Sequence, residues 1–317
     1  MVSASVGGMT SGAGLTRSWR PDWPCPVGSV LAQQRRGSRD PTYRRDGDQR
    51  HWRAMRTPLG PATLLLESRP ERGEVDAEAW GPGAEWALAS VPALLGAADD
   101  PSGFEPGHPV VAELWRRHRH VRFGRTGLVF EAVLPTILEQ KVTGQEAFAG
   151  FRALVHRYGE RAPGPGAERG LWVQPAPERV RGIASWQWLQ LHVDPARSRT
   201  AVTAARVAPS LERVADLDLD EADRRIRSLP GLGVWSSAEV RARALGDADA
   251  VSFGDYHVAK DVGWALLGHE IDDEAMADLL EPWRPHRGRI PMLLALAGLG
   301  RPRRGPRMAP RTHLPSR

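Results

Sequence analysis

Cysteine, lysine and long hydrophobic runs are scarce in this chain of 317 residues. The single cysteine, Cys25, excludes a disulfide framework within one chain, and it excludes any four-cysteine zinc or iron–sulfur site. No hydrophobic run approaches the length of a membrane-spanning helix, and residues 1–14 lack the charged start and apolar block of a signal peptide. These absences favour a cytoplasmic protein, and 41% hydrophobic residues are enough for a real core.

Positive charge is carried almost entirely by arginine and is concentrated at the two ends of the sequence. Lysine occurs only as Lys141 and Lys260 among 43 basic residues. Residues 1–56 carry a net charge of +6 and residues 299–317 another +6, which leaves −7 for residues 57–298. An acidic body cannot hold a polyanion by bulk charge, so such contact would be local, through backbone amides and a few arginines.

Composition divides the chain into four segments. Residues 1–56 are rich in Gly, Ser, Pro and Arg without periodicity, which predicts a disordered basic extension. Residues 57–112 are interpreted as a small α+β region, and residues 113–298 as a helical core. The arginine-rich residues 299–317 are predicted to be a disordered tail. Both ends could add salt-sensitive affinity for a polyanion, but disorder without that role is the favoured interpretation.

The pattern of apolar residues predicts a mainly α-helical fold with a small β-containing part near the N-terminus. Residues 62–67 and 74–78 have the composition of strands, and an apolar helix follows them. From Leu128 onward the pattern is helical, and the clearest stripe has i, i+3, i+4, i+7, i+8 spacing: Phe130, Val133, Leu134, Ile137 and Leu138. Further helices are predicted at about 176–184, 196–209, 220–229, 235–245, 255–268, 273–281 and 286–298.

Residues 229–235, with the sequence LPGLGVW, indicate a helix, a tight turn and a second helix. Pro230 cannot continue a helix, and Gly231 and Gly233 allow positive φ and close approach of another molecule. The peptide N–H groups at the start of the second helix lack intrahelical partners, so they form an anion site suited to a phosphodiester oxygen. An ordinary glycine-rich turn between packed helices would give the same short pattern.

Residues 251–257, with the sequence VSFGDYH, follow about two dozen residues later. Gly254 is a flexible position, and Asp255 is predicted to cap the helix that continues through Val258 and Val262. Most aspartates at helix starts are structural caps. A cap aspartate that faces a cleft could also serve as a catalytic carboxylate.

Together with residues 130–140 (FEAVLPTILEQ), these two segments resemble the helix-hairpin-helix DNA glycosylases, and the alkylated-base (3-methyladenine type) branch in particular. The resemblance covers residues 126–297, and the elements occur in the family's order. It implies two helical lobes that flank a cleft, with Asp255 on its wall. It also implies duplex DNA with damaged bases as the partner, and we expect a monomer associated with the nucleoid.

The resemblance assigns roles to residues of both segments. Asp255 corresponds to the family's catalytic aspartate. Trp235 stands where lyase-competent relatives have a nucleophilic lysine, so a monofunctional enzyme is expected because tryptophan cannot form a Schiff base. Trp235 and Tyr256 are candidate walls of the base pocket, with core packing as an equal alternative.

The hairpin and the turn after residues 130–139 are the expected DNA contacts. The hairpin residues, whose amides would hold a phosphate and whose carbonyls often hold Na⁺ or K⁺ in the family, are Pro230, Gly231, Leu232 and Gly233. No other cofactor is expected. Gln140 could hydrogen-bond to the unpaired base or be a polar helix residue. Lys141 stands where relatives place an apolar wedge, and its ammonium would prefer a phosphate or groove edge.

The expected activity is removal of alkylated purines by base flipping and hydrolysis of the N-glycosidic bond, in base excision repair. Residues 285–294 contain fewer aromatics than the family often has there, so base specificity stays open. Two alternatives remain: a non-catalytic DNA-binding protein with the same hairpin, and a monofunctional glycosylase for deaminated or oxidised bases.

Overall fold

The computed structural model describes residues 14–302. Its strands are β1 (Leu15–Trp19), β2 (Tyr43–Asp46), β3 (Arg50–Thr57), β4 (Gly60–Arg69), β5 (Glu74–Trp80), β6 (Glu160–Arg161) and β7 (Trp172–Val173). Its α-helices are α1 (Val27–Ala32), α2 (Ala84–Leu94), α3 (Pro109–His118), α4 (Val129–Glu139), α5 (Gly144–Tyr158), α6 (Pro165–Glu168), α7 (Pro177–Arg181), α8 (Ser185–Gln190), α9 (Pro195–Arg206), α10 (Ala208–Glu212), α11 (Leu219–Arg227), α12 (Val234–Val240), α13 (Val258–Leu267), α14 (Asp273–Leu280) and α15 (Arg289–Leu296). Shorter segments are 3₁₀ turns at Arg213–Asp216 and Glu281–Trp283 and a π-helical stretch at Arg241–Leu245. The predicted fold class, mainly helical with a small N-terminal sheet, is confirmed.

The prediction of a disordered extension over residues 1–56 is wrong from residue 14 onward. β1, β2 and β3 belong to one antiparallel sheet of order β1-β5-β4-β3-β2. Helix α1 lies between β1 and β2 and buries Val30 and Leu31 almost completely. The part of the prediction that concerns residues 1–13 lies outside the described residues.

The N-terminal segment is ordered because its partners are distant in sequence. Strand β1 pairs with β5, so that Leu15 lies opposite Ala79, and the Ser18 hydroxyl donates to the Asp76 carboxylate at 2.6 Å. Arg20 forms an ion pair with Glu74 at 2.5 Å. Local composition cannot predict this pairing, because Asp76 lies 58 positions from Ser18 and Glu74 lies 54 positions from Arg20.

Two hydrophobic cores divide the described chain. The first, here called the sheet lobe, combines buried residues between Val27 and Leu128 with others between Val251 and Leu294. The second, the helical lobe, takes its buried residues from between Val129 and Leu245, but not Ala162, Leu171 or Val173. A smaller cluster, including Trp52 and Trp80, covers the other face of the sheet, beside β6 and β7. The chain therefore leaves the sheet lobe, forms the helical lobe, and returns.

Two details of the predicted organisation need correction. The predicted boundary between residues 112 and 113 falls inside α3, which packs on α15 in the sheet lobe. Residues 299–302, predicted to begin a disordered tail, are held in place: the Arg301 backbone N–H donates to Asp261 at 3.1 Å, and its guanidinium to Glu270 at 3.0 Å. The remainder of that tail, residues 303–317, is not among the described residues.

The charge balance changes once the N-terminal arginines belong to the fold. Residues 14–302 contain 38 basic and 38 acidic side chains, so the part that the structure describes is neutral overall. Within these residues no helix is long and apolar enough to cross a membrane. A neutral body, like an acidic one, needs local donors to hold an anion.

Candidate nucleic-acid interface and catalytic site

The predicted hairpin is present between α11 and α12. Helix α11 ends at Arg227, two residues before the dipeptide Leu229–Pro230, and α12 begins at Val234. The two helices are joined by a hydrogen bond of 2.6 Å from the buried Ser237 hydroxyl to Asp223. This bond and the burial of Leu229 and Leu232 anchor the turn, while Pro230, Gly231 and Gly233 stay exposed.

Glycine stands at positions 231 and 233 for two different structural reasons. Gly231 has φ of +93°, and a Cβ there would overlap the Thr200 side chain, so only glycine fits without strain. Gly233 has an ordinary φ of −101°, and no atom lies within 4 Å of the position where its Cβ would be. The empty space beside Gly233 allows another molecule to approach the backbone closely.

The start of α12 presents unpaired amides to the exterior. Within residues 14–302, no backbone acceptor takes the N–H of Gly233 or Val234, and both residues are exposed. The first bond of the helix runs from the Ser237 N–H to the Gly233 carbonyl at 2.9 Å. Such free N–H groups at the positive end of a helix form an anion site.

Asp255 lies in the loop between the two lobes, three residues before α13 rather than at its N-cap. Its Oδ1 accepts the backbone N–H of His257 at 2.7 Å and of Val258 at 3.1 Å, so the side chain still organises the helix start. Its Oδ2 has no protein donor in the described part of the chain. One carboxylate oxygen is therefore structural and the other is free for a ligand.

Trp235 connects the Asp255 loop to the hairpin. A Cβ at Gly254 would lie 3.9 Å from the Trp235 Cβ, so the loop passes directly beside the first turn of α12. Gly254 has φ of +89° and donates its N–H to Asp273 at 2.8 Å. Trp235 is half-buried, and its role as a wall of the base pocket stays a prediction.

Gln140 and Lys141 form the turn between α4 and α5, and the structure places Gln140 against the hairpin. Its side-chain amide donates to the Gly231 carbonyl and to the Ser236 hydroxyl, both at 2.8 Å. Lys141 is exposed and has φ of +54°, which is unusual for a residue other than glycine. Gln140 thus supports the hairpin, and Lys141 projects from the turn beside it.

Tyr256 does not line an enclosed pocket. Its side chain is 67% exposed, with the Lys260 ammonium 3.9 Å and the Arg301 guanidinium 5.4 Å from the ring centroid. Hydrogen bonding to Arg301, assisted by the charge of Lys260, lowers the pKa of the Tyr256 phenol. The ring face that could attract a cationic base is instead occupied by the protein's own cations.

No sequence motif predicts the group of mainly charged residues that lies behind the site. Glu139 at the end of α4 pairs with Arg36 at 2.9 Å, and Glu239 in α12 pairs with Arg243 at 2.5 Å. Ser252 of the Asp255 loop donates its hydroxyl to Glu239. Periodicity marks α4 and α12 as helices, but only the fold brings these five residues together.

Two kinds of metal site bear on the candidate site, one built from clustered side chains and one from backbone carbonyls. No group of three or more His, Cys, Asp or Glu residues that could hold a metal ion occurs among residues 14–302. For a monovalent cation, the Gly231 carbonyl already accepts the Gln140 amide and the Gly233 carbonyl accepts the Ser237 N–H. Each of these carbonyl oxygens keeps a second lone pair, and the expected Na⁺ or K⁺ at the hairpin stays a prediction.

Solved structures with the same architecture are DNA glycosylases. A 3-methyladenine DNA glycosylase from Archaeoglobus fulgidus matches with a TM-score of 0.75 and 16% identity, over 89% of this chain and 98% of its own. The apo form of an 8-oxoguanine glycosylase/lyase from Clostridium acetobutylicum gives 0.66 and 10%, over 90% and 99%. Mag1 of Schizosaccharomyces pombe, a 3-methyladenine DNA glycosylase in complex with abasic DNA, gives 0.51 and 15%, over 61% and 93%.

The chain has the helix-hairpin-helix DNA glycosylase fold. No protein-family model matches the sequence, and no curated protein matches it significantly. The likeness is therefore one of structure, and the chemistry of this chain must be argued from its own residues.

Proposed function

We propose that the protein is a monofunctional DNA glycosylase that removes alkylated purines, of the 3-methyladenine type, from duplex DNA in base excision repair. The proposal rests on two groups that have no protein partner in the described residues: one carboxylate oxygen of Asp255 and the amides at the start of α12. The contact between Gly254 and Trp235 brings the two groups onto one surface at the lobe boundary.

Asp255 supplies the catalytic charge in this proposal. N-alkylation makes the base cationic and a good leaving group, so the enzyme has little need to protonate it. Positive charge then builds on the sugar near C1′, and the Asp255 Oδ2 stabilises it electrostatically and helps orient the attacking water. Because Oδ1 is fixed by two backbone N–H groups, Oδ2 is held in one direction without a further partner.

The hairpin holds the DNA backbone and keeps the lobe boundary next to the damaged nucleotide. A phosphodiester oxygen would accept from the N–H groups of Gly233 and Val234, where no side chain blocks its approach. Flipping the base costs a few kcal/mol and leaves a gap in the stack. We propose that Lys141, which is exposed on the turn beside the hairpin, enters that gap or contacts the flanking phosphate.

The absence of lyase chemistry is supported by the residue at the family's lysine position. The residue at the family's lysine position is Trp235, which offers no amine. Lys141 belongs to the α4–α5 turn, and Lys260 lies over the Tyr256 ring. The product we expect is an intact strand with an abasic site, which breaks only after alkali.

A second candidate is a monofunctional glycosylase for oxidised or deaminated bases. One observation favours it: Lys260 and Arg301 cover the Tyr256 ring, which reduces the attraction of the site for a cationic base. Trp235 is then the remaining candidate wall of the base pocket that could stack on a cationic base. The two candidates share Asp255 and differ only in the base they select.

Single-turnover release of base decides among these functions. The wild type would be incubated in excess with methylated duplex DNA, with uracil-, hypoxanthine- and 8-oxoguanine-containing duplexes, and with borohydride to trap any Schiff base. We expect release from methylated DNA, strand breakage only after alkali, and no trapped adduct. Trapping would contradict monofunctional chemistry, release only from another duplex would support the second candidate, and binding without any release would indicate a DNA-binding protein.

A further inference from the structure

Glu239 sits behind the Asp255 loop with its carboxylate fully engaged. Its side chain is 16% exposed, and its Oε2 accepts from Arg243 at 2.5 Å while its Oε1 accepts the Ser252 hydroxyl. Burial alone would raise the pKa of Glu239, but Arg243, Ser252 and Arg36 outweigh it and lower that pKa. Glu239 is thus held as an anion, and its bond to Ser252 is charge-assisted.

The bond between Ser252 and Glu239 fixes the base of the turn that carries Asp255. The Ser252 carbonyl accepts the Asp255 N–H at 3.1 Å, which closes the turn. From the other side, Asp273 accepts the Gly254 N–H at 2.8 Å. Ser252 is the point at which the turn is attached to the helical lobe, because Glu239 belongs to α12, the helix whose start forms the anion site.

We propose that Glu239 is a positioning residue for Asp255 and acts through the Ser252 hydroxyl. The link sets the direction of the Asp255 Oδ2 relative to the hairpin. A DNA strand bound at the hairpin therefore meets the carboxylate in a fixed position. This inference rests on the proposed function for its catalytic consequence, but the positioning itself is a property of the free protein. A misplacement of about 1 Å costs up to about 100-fold in rate, and the loss of one anchor is expected to cost about tenfold.

Removing the hydroxyl without disturbing the buried ion pair tests the link. Ser252→Ala deletes the bond, Ser252→Thr retains a hydroxyl, and Ser18→Ala removes a comparable serine–carboxylate bond in the sheet. Each variant would be measured for single-turnover base release, for affinity to the same duplex, and for amide exchange of Asp255, His257 and Val258 in the free protein. Exchange does not depend on activity.

We expect Ser252→Ala to release base about tenfold more slowly with unchanged DNA affinity, and its three loop amides to exchange about tenfold faster. Ser252→Thr and Ser18→Ala should match the wild type in both measurements. Unchanged exchange in Ser252→Ala overturns the positioning role, whatever the rates show. A Ser252→Thr variant as slow as Ser252→Ala also overturns it. If the wild type releases no base from any duplex, the proposed function fails while the exchange comparison still decides the link.

Discussion

The two halves of the candidate site belong to different hydrophobic cores. The hairpin packs through Leu229 and Leu232 into the helical lobe, whereas the Asp255 loop begins at Val251 of the sheet lobe. The hairpin offers backbone groups, and hydrogen bonds from Gln140 and between Ser237 and Asp223 hold it in place. The loop offers one side chain, and hydrogen bonds from both lobes determine where that side chain lies. Binding and chemistry should therefore be separable by mutation.

Replacing Asp255 by asparagine should give the largest effect on chemistry alone. The amide oxygen of asparagine can still accept from His257 and Val258, but a neutral side chain cannot stabilise positive charge on the sugar. We expect base release to slow by about 100-fold or more, with affinity for the duplex retained. Equal single-turnover rates for Asp255→Asn and wild type would remove Asp255 from the mechanism.

Leu31→Ala tests whether the N-terminal segment is part of the lobe that carries the Asp255 loop. Leu31 is 1% exposed in α1, and truncating a buried leucine costs roughly 3 kcal/mol of unfolding free energy. The matched control is Leu15→Ala, since Leu15 is 47% exposed on β1. Chemical denaturation would measure both variants, and a Leu31→Ala protein as stable as the control would show that α1 is not needed by the sheet lobe.

The two hairpin glycines should respond differently to alanine. Gly231→Ala meets Thr200 and adopts a disfavoured φ, so we expect it to lose both stability and DNA affinity, by about 1–3 kcal/mol each. Gly233→Ala meets no protein atom, so its melting temperature should stay unchanged while its DNA affinity falls about tenfold through the lost approach to phosphate.

Gly170→Ala is the control for the cost of strain at the hairpin. Gly170 also has a positive φ, of +74°, with open space around it and no part in the site. This variant should lose some stability and keep its DNA affinity in a fluorescence-anisotropy titration. If Gly233→Ala binds duplex DNA as tightly as the wild type, the phosphate does not approach the backbone there.

Gln140→Ala should have the smallest effect, and it should weaken DNA binding by the hairpin rather than the chemistry. It removes hydrogen bonds to the Gly231 carbonyl and the Ser236 hydroxyl. Together these bonds contribute about 1–2 kcal/mol to the free energy of unfolding. We expect a several-fold loss of DNA affinity and an unchanged rate of release from bound DNA. A variant with normal affinity and a slower rate would instead place Gln140 with the chemistry, as a contact to the unpaired base.

Sequence patterns predicted the helical elements better than the ends of the chain. The stripe that includes Phe130, Val133 and Ile137 is fully buried in α4, because an i, i+3, i+4 pattern reports a face that is local to one helix. The stretch at 62–67 lies within β4. The strands β1 and β3 were not predicted, because their arginine-containing sequences lack a clear strand pattern. They are ordered by pairing with β5 and β4.

The sequence by itself determined the hairpin turn, the helix that precedes Asp255's loop and the one that follows it, and the exclusion of cysteine-bound metal sites. These follow from backbone freedom, from periodicity and from residue counts, which are local properties. The tertiary structure alone decided that Arg36 and Glu139 meet beneath the site, that Gln140 braces the hairpin, and that Tyr256 faces its own cations. The contacts of Arg36 with Glu139, of Gln140 with Gly231 and of Tyr256 with Arg301 join residues that are far apart in sequence. Such contacts depend on angstrom-scale geometry that no local pattern encodes.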